Sequence, residues 1–350
     1  MDSGAALPSL QIAYTTLGTL NDQGTNAILV CHALTGDAHA ADATLPGGKV
    51  IAGWFNGGVG PGKGIDTNRF FVICSNILGS CYGTTGPVST DPLRNVPYGM
   101  NFPQMTVRDI VRAQRLLLDH LGVRRLVTVI GGSLGGMQAL EWAAMYPGMV
   151  DSIVPIATSA RHTAWTIGIS EAQRLAITSD PAWKEGAYTD QPARGLAIAR
   201  SIAMIWYRSQ PAFEERFGRT PANGQGGGGK KIRLFADQPL SFSVQSYLRY
   251  QGQKLADRFD ANTYLYLTRA MDLHDLGRGR GTVEEVLSRL KARALCIGIS
   301  SDILYPPDEQ KKIAENIPGG RYWELESLHG HDAFLIEFDR MNAILRKFLS

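Results

Sequence analysis

No run of this sequence approaches the roughly 18 consecutive apolar residues of a membrane-spanning helix. Its opening, MDSGAALPSL, lacks both the basic start and the apolar stretch of a secretion signal. The expectation is a cytoplasmic protein with no membrane association. Cysteine is scarce too: Cys31, Cys74, Cys81 and Cys296 form no CxxC pair and no metal-ligand spacing, which argues against a disulfide framework and against a metal site. Cys31, Cys74 and Cys296 sit in apolar strand-like runs, where a free thiol serves as a small core residue in a reducing compartment. Nor is there a surplus of one charge. The 35 basic and 32 acidic residues leave +3, spread along the chain, so no basic stripe offers itself to nucleic acid. Internal repeats are absent.

What remains, 44% hydrophobic and 19% charged over 350 residues, suits a globular enzyme with a large buried core. Short apolar runs alternate with helical segments through the first 160 residues, as a mostly parallel sheet requires. Strands are expected over 10–16, 27–31, 70–74, 126–130 and 153–156, and a helix over 107–121. The pattern resumes with a strand over 294–299, a helix over 306–317, a strand over 322–325 and a closing helix over 333–348. Between roughly 161 and 285 strand signals vanish and helices are expected over 170–177, 195–207, 211–217, 241–258 and 261–271. The Gly-rich run 224–229 precedes Lys230-Lys231 and a strand-like 232–235; a phosphate loop would need the reverse order, so a flexible surface loop is the reading.

Chemistry enters at Gly131-Gly132-Ser133-Leu134-Gly135. An apolar β-branched run leads into it, and a run of helix formers ending at Pro147-Gly148 leads out. A G-x-S-x-G at a strand-to-helix junction is the nucleophile elbow of the α/β-hydrolase fold, in which a mostly parallel sheet carries helices on both faces. The serine hydroxyl projects above the sheet, and the helix start offers N–H groups to an anionic intermediate. Residues 1–160 and 286–350 then form the core, and 161–285 an inserted helical lid.

An elbow serine needs a base and an orienting acid, which in this fold follow it in the order Ser…Asp/Glu…His. Asp302 stands just past the strand expected over 294–299, and His331 lies in a loop before the last helix. His331 takes the Ser133 proton and Asp302 holds the imidazole tautomer. Two competing assignments are open: Asp302 as the cap of a helix over 303–317, and His329 as the base. Gly330, which frees the turn before it, favours His331. The segment Cys31-His32-Ala33-Leu34 follows a strand where this fold places its second oxyanion donor, so the amides of Leu34 and Leu134 are the candidate pair.

Further motifs carry a closer resemblance: Asn26 to His39 (NAILVCHALTGDAH), Gly60-Pro61-Gly62-Lys63, GSCYGTTGP from Gly79, GGSLGGMQALEWA and the ending Gly330-His331-Asp332-Ala333-Phe334-Leu335. Over nearly the whole chain the sequence resembles the homoserine O-acyltransferases. The resemblance implies transfer of an acyl group, taken as acetyl, from acyl-CoA (acetyl-CoA) to the hydroxyl of L-homoserine, the entry to methionine synthesis, with no resident cofactor. It implies a homodimer formed through the lid. By it Arg200 clamps the amino-acid carboxylate, Tyr207 faces the site from the same helix, and Asp332 receives the ammonium group. A succinyl donor, serine as acceptor, or an esterase or thioesterase of the same fold are the alternatives. Two departures stand out: the Gly-rich run resembles a local insertion, and Trp54-Phe55-Asn56 replaces a segment that often carries a paired tryptophan and an acid.

Overall fold

Seven stretches rich in aliphatic and β-branched residues pair into one sheet: β1 Tyr14–Leu17, β2 Ala27–Cys31, β3 Phe71–Ser75, β4 Leu126–Gly132, β5 Ser152–Ile156, β6 Arg293–Ile299 and β7 Arg321–Leu325. Their spatial order is β1-β3-β2-β4-β5-β6-β7. Only β1 runs antiparallel to its neighbour; every other pairing is parallel. The computed structural model describes residues 1–44, 47–48, 50–222 and 242–350. The Gly-rich run, Lys230-Lys231 and the strand-like 232–235 lie outside the described residues.

The central strands are buried on both faces, which explains why they read as continuous apolar runs rather than alternating ones. Period-2 alternation still sorts their side chains. Leu29, Cys31 and Val129 face helices α1 Val107–His120, α2 Leu134–Met145, α8 Val283–Ser288 and α9 Pro307–Asn316. Ile28, Val30 and Ile130 face the closing helix α10 Phe338–Leu349. Phe55 packs there as well, edge-on to Phe338 at 5.6 Å, while Trp54 Nε1 donates to the Asp37 carbonyl at 3.0 Å. The segment that departs from the resembled family therefore braces α10.

Between β5 and β6 lies a helical block: α3 Ala164–Thr178, α4 Ala193–Trp206, α5 Gln210–Arg216, α6 Ser243–Ala256 and α7 Ala261–Asp272. Side chains of Thr163, Ser209 and Asp260 accept from the backbone N–H groups that open α3, α5 and α7. Helix α4 packs on α3 and α6. Leu196, Ala197 and Ala199 from α4 join Leu34, Leu134 and Met137 in one buried cluster, so this block covers the elbow. No helix among the described residues is long and apolar enough to cross a membrane.

Three expectations need correcting. The first strand starts at Tyr14 rather than residue 10, because hydroxyls rather than a ladder satisfy the preceding chain: the N–H groups of Gln11 and Ala13 donate to Thr85 Oγ1 (2.8 Å) and Thr84 Oγ1 (3.0 Å). The expected helix over 333–348 is broken into a 3₁₀ turn, Gly330–Leu335, and α10. Helix α8 was not foreseen; it spans only six residues, and the boundary drawn at 285 cuts through it. Its Val286 and Leu287 are buried with the sheet, so α8 belongs with the core.

Glu141 of α2 is 1% exposed and holds two arginines, Arg108 of α1 at 3.0 Å and Arg280 at 2.8 Å. Arg108 also donates to the Asp275 carbonyl at 3.2 Å, which fixes the chain returning from the helical block to the elbow helix. Removing one partner of a buried ion pair leaves the others desolvated and unpaired. Glu141→Leu should therefore destabilise the fold by about 3 kcal/mol, measured by urea unfolding; a change below about 1 kcal/mol, the size of an exposed pair, would show that the cluster is solvent-relaxed.

Candidate active site

Ser133 is the single residue between β4 and α2, and its backbone sits at φ 57°, ψ −123°, a conformation that costs a non-glycine residue about 1–3 kcal/mol. The surrounding glycines show why the turn is nonetheless imposed. A Cβ on Gly131 would lie 2.6 Å from the Cys31 carbonyl oxygen, and one on Gly135 closer still. At Gly132 it would meet the Phe334 ring at 2.5 Å, and at Gly136 the Thr158 side chain at 2.6 Å. The Ser133 N–H donates to the Ile156 carbonyl (2.9 Å), and Thr158 Oγ1 donates to the Ser133 carbonyl (2.7 Å). Gln310 Nε2 in turn donates to the Thr158 carbonyl.

Asp302 and His331 are brought together. His331 Nδ1 lies 2.7 Å from Asp302 Oδ2, and both side chains are buried. Because a carboxylate only accepts, Nδ1 carries the hydrogen and Nε2 presents its lone pair. Oδ1 of Asp302 accepts from the N–H groups of Leu304 (2.8 Å) and Tyr305 (3.0 Å). The acid thus shapes its loop and holds the imidazole at once. No helix follows it directly: α9 begins at Pro307, since Pro306 and Pro307 keep the preceding residues out of the helical region. Burial disfavours the imidazolium, but the charge of Asp302, its hydrogen bond and the charge of Asp332 outweigh this and raise the His331 pKa above its ordinary value. Burial, and then the charge of Asp302, push Glu309 at the start of α9 up to about 7.

The loop bearing His331 is fastened on two sides. Ser301 Oγ accepts from the Gly330 N–H (2.9 Å) and donates to the Ser327 carbonyl (2.6 Å). Gly330 has φ 64°, and a Cβ there would meet the Arg208 backbone at 2.7 Å. The Asp332 N–H donates to the Tyr207 carbonyl (3.1 Å), and Ser209 Oγ donates to the Leu328 carbonyl. Three rings surround the imidazole: Tyr305 at 5.4 Å, Tyr207 at 5.7 Å and Phe334 at 5.9 Å. His329, half-buried, lines a cavity of about 280 Å³ with Arg208, Arg216 and Tyr247.

Across from the serine, the β2 end and the loop 31–34 press on the elbow through the Cys31 carbonyl. His32 is wholly buried; its Nε2 accepts from the Ile77 N–H (3.2 Å), so Nδ1 carries the hydrogen and donates to the Ala33 carbonyl (2.8 Å). Burial holds its pKa below the ordinary value, so His32 is a neutral brace for the turn leading to Leu34. Among the described residues, the amides of Leu34 and Leu134 have no protein acceptor.

Arg200 lies with its guanidinium 5.3 Å from the Tyr207 ring centre. Burial raises the Tyr207 pKa, with Arg200 opposing the rise and Asp332 adding to it, so the three side chains share one electrostatic neighbourhood. Asp332 is not solitary: Arg208 Nε stands 3.2 Å from its Oδ2. The sequence reading missed Arg208, the loop-tying Ser301, Tyr305 beside the imidazole and Thr158 beneath the serine. Each is a single polar residue outside any motif; Arg208 adjoins Tyr207 and Ser301 adjoins Asp302, but adjacency alone gave neither a role.

A family model described as alpha/beta hydrolase fold matches residues 26–338. A homoserine O-acetyltransferase of Moorella thermoacetica is 52% identical, with 100% of this chain and 92% of the relative covered. One of Carboxydothermus hydrogenoformans is 50% identical, with coverage of 100% and 92%. Among solved structures, a homoserine O-acetyltransferase from Bacillus anthracis has a TM-score of 0.87 at 31% identity, covering 97% of this chain and 92% of that one. Esterase E22 reaches 0.86 at 30% identity, covering 97% and 94%.

The Asp302–His331 contact makes one direct prediction. Followed by NMR, the His331 imidazole should titrate above the usual value of about 6.5. Asp302→Asn removes the charge while burial remains, so the same resonance should move to lower pH. A His331 titration at or below that value in the unaltered protein would mean that burial, not Asp302, governs the ring.

Proposed function

The chain belongs to the homoserine O-acetyltransferases, enzymes of the α/β-hydrolase fold, and we propose that it moves the acetyl group of acetyl-CoA to L-homoserine through an acyl-enzyme on Ser133. The observation that supports this reading is the buried Asp302–His331 contact, taken together with a serine held at positive φ in a strand-to-helix turn. His331 Nε2 takes the Ser133 proton as Oγ attacks the thioester carbonyl. The amides of Leu34 and Leu134 donate to the oxyanion, with the start of α2 adding its dipole. The C–S bond then breaks, His331 returns the proton to the departing CoA thiolate, and acetyl-Ser133 remains. In the second half, His331 takes the hydroxyl proton of homoserine as its oxygen attacks the acetyl carbonyl; the acyl bond to Ser133 Oγ then breaks and His331 returns the proton to that oxygen.

What separates transfer from hydrolysis is the placement of homoserine over the acyl-enzyme. Arg200 pairs with its carboxylate and Asp332 with its ammonium group, Arg208 occupying only one of the two Asp332 oxygens. Tyr207 forms the wall between them. A plain esterase has no use for this zwitterion clamp. The protein works in the cytoplasm, a reading supported by its four free cysteines. It works as a homodimer joined through the helical block, where Trp165, Leu175 and Ile205 of α3 and α4 leave about half of their surface exposed.

Incubation with acetyl-CoA alone should add an acetyl mass to the peptide containing Ser133, and Ser133→Ala should abolish both adduct and turnover while leaving the fold intact. Turnover without an adduct on that peptide excludes the covalent route. Arg200 acts in the second half-reaction only. Arg200→Leu should therefore lower kcat/KM for homoserine by about 2–4 kcal/mol and leave the burst of CoA release almost unchanged. Equal damage to both halves would place Arg200 in the fold or on CoA instead.

A further inference from the structure

Tyr305 touches both the acid and the base of the Ser133–His331–Asp302 set without belonging to it. Its backbone N–H donates to Asp302 Oδ1 at 3.0 Å, and its ring lies 5.4 Å from that of His331. The side chain is wholly buried, and its hydroxyl is 3.0 Å from His162 Nε2. His162, also buried, presents Nδ1 to Asp272 Oδ1 at 3.1 Å. Asp272 Oδ2 meets Arg174 of α3 at 2.6 Å. A carboxylate only accepts, so in the neutral His162 imidazole Nδ1 carries the hydrogen and Nε2 accepts from the Tyr305 hydroxyl. A second Asp–His pair thus stands behind the first, aimed at a phenol.

Packing alone does not account for this arrangement. A phenylalanine fills almost the same space, whereas a buried phenol, imidazole and carboxylate must each be satisfied to offset their desolvation. The four side chains also come from four separate places: His162 from the chain after β5, Arg174 from α3, Asp272 from the end of α7 and Tyr305 from the chain after β6. Their hydrogen bonds join the helical block to the loop that carries Asp302, where Trp165 Nε1 of α3 also donates to the Ile303 carbonyl at 3.1 Å.

We propose that Asp272, His162 and Tyr305 form a positioning relay that sets the Asp302–His331 pair in line with Ser133 and ties that alignment to helices α3 and α7. The proposal rests on the assignment of Ser133, His331 and Asp302 made above. Tyr305 is a positioning residue: it holds the acid through its backbone and the imidazole through its ring, and exchanges no proton with substrate. His331 serves both half-reactions, so loss of the relay slows both by a similar factor and leaves homoserine binding at Arg200 intact.

Tyr305→Phe keeps the ring and removes only the hydroxyl. It should lower the acetylation burst and the steady-state kcat alike, by about 10- to 100-fold, as a sub-ångström misplacement of a catalytic group does. KM for homoserine should stay within about twofold, a split that simple loosening of the fold does not produce. The acid limb of kcat/KM should also move to lower pH, because a poorly aligned Asp302 raises the His331 pKa less. The groups facing His331 are Asp302, Asp332 with Arg208 against it, and the phenols of Tyr207 and Tyr305. His162→Phe should reproduce the loss, and the double variant should be no worse than either single one. Unchanged kcat and pH profile in Tyr305→Phe overturn the relay, as do additive losses in the double variant. Ser133→Ala and His331→Ala, assayed alongside, keep the two ideas apart: if either retains activity, the catalytic assignment has failed rather than the relay.

Discussion

The contact between the Cys31 carbonyl and the glycines of the elbow is the constraint on which the rest of the structure depends. Strand β2 ends against Gly131 and Gly135 so closely that neither position has room for a side chain. With β4 pinned there and α2 starting at once, one residue must reverse the chain, and Ser133 does so at positive φ. The cost of that conformation is local, but the forces that impose it are global: parallel pairing of β4 with β2 and β5, a hydrogen bond from Ser133 to β5, and a helix buried all round. The same contact carries the loop bearing Leu34 to the elbow. The backbone strain at Ser133 and the approach of the proposed oxyanion donors, Leu34 and Leu134, are one geometric consequence rather than two features.

A second level of organisation is electrostatic. Two buried histidines near the site are each matched to a partner of fixed role. His32 is kept neutral by burial and by a ring nitrogen that accepts from a backbone amide, whereas His331 is held above its ordinary pKa by a carboxylate. Two histidines with the same intrinsic chemistry therefore do opposite work, one as a rigid spacer and one as the proposed base. The difference lies in the partner: an N–H beside one ring, an oxygen anion beside the other.

How far the sequence reveals this depends on the range over which the information is written. The sheet and the elbow were legible because their signals are local: apolar β-branched runs of strand length, and glycines packed around one serine. The order of Asp302 and His331 after a strand and before a helix sufficed to pair them, and the two lie 2.7 Å apart. What escaped was tertiary. Ser301 is an unremarkable polar residue until its hydroxyl is found bridging the acid loop to Gly330, and the break between Leu335 and Phe338 divides a stretch that otherwise scans as continuous helix. His162, Asp272 and Tyr305 are far apart in the chain, on elements whose mutual placement no period or spacing encodes. Arg208 changes the meaning of Asp332 from a free acid to one half of an ion pair, which no motif announces.

That last contact bears on how a hydrolase-like site becomes a transferase. An acyl-enzyme beside water is hydrolysed unless another acceptor is better placed. Here the proposed acceptor contacts come from both sides of the site: Arg200 from α4 and Tyr207 from its C-terminal end, Asp332 from the turn that carries the proposed base. The Asp332 N–H bonded to the Tyr207 carbonyl, and Arg208 against the Asp332 side chain, join these two sides into one unit. A homoserine held by the proposed clamp would be positioned relative to His331 itself, not merely admitted to a cavity. Displacement of α4 would therefore move the acceptor clamp and the base together. On this view the helical block does more than cover the serine: it is part of the frame that decides which hydroxyl, water's or homoserine's, His331 deprotonates.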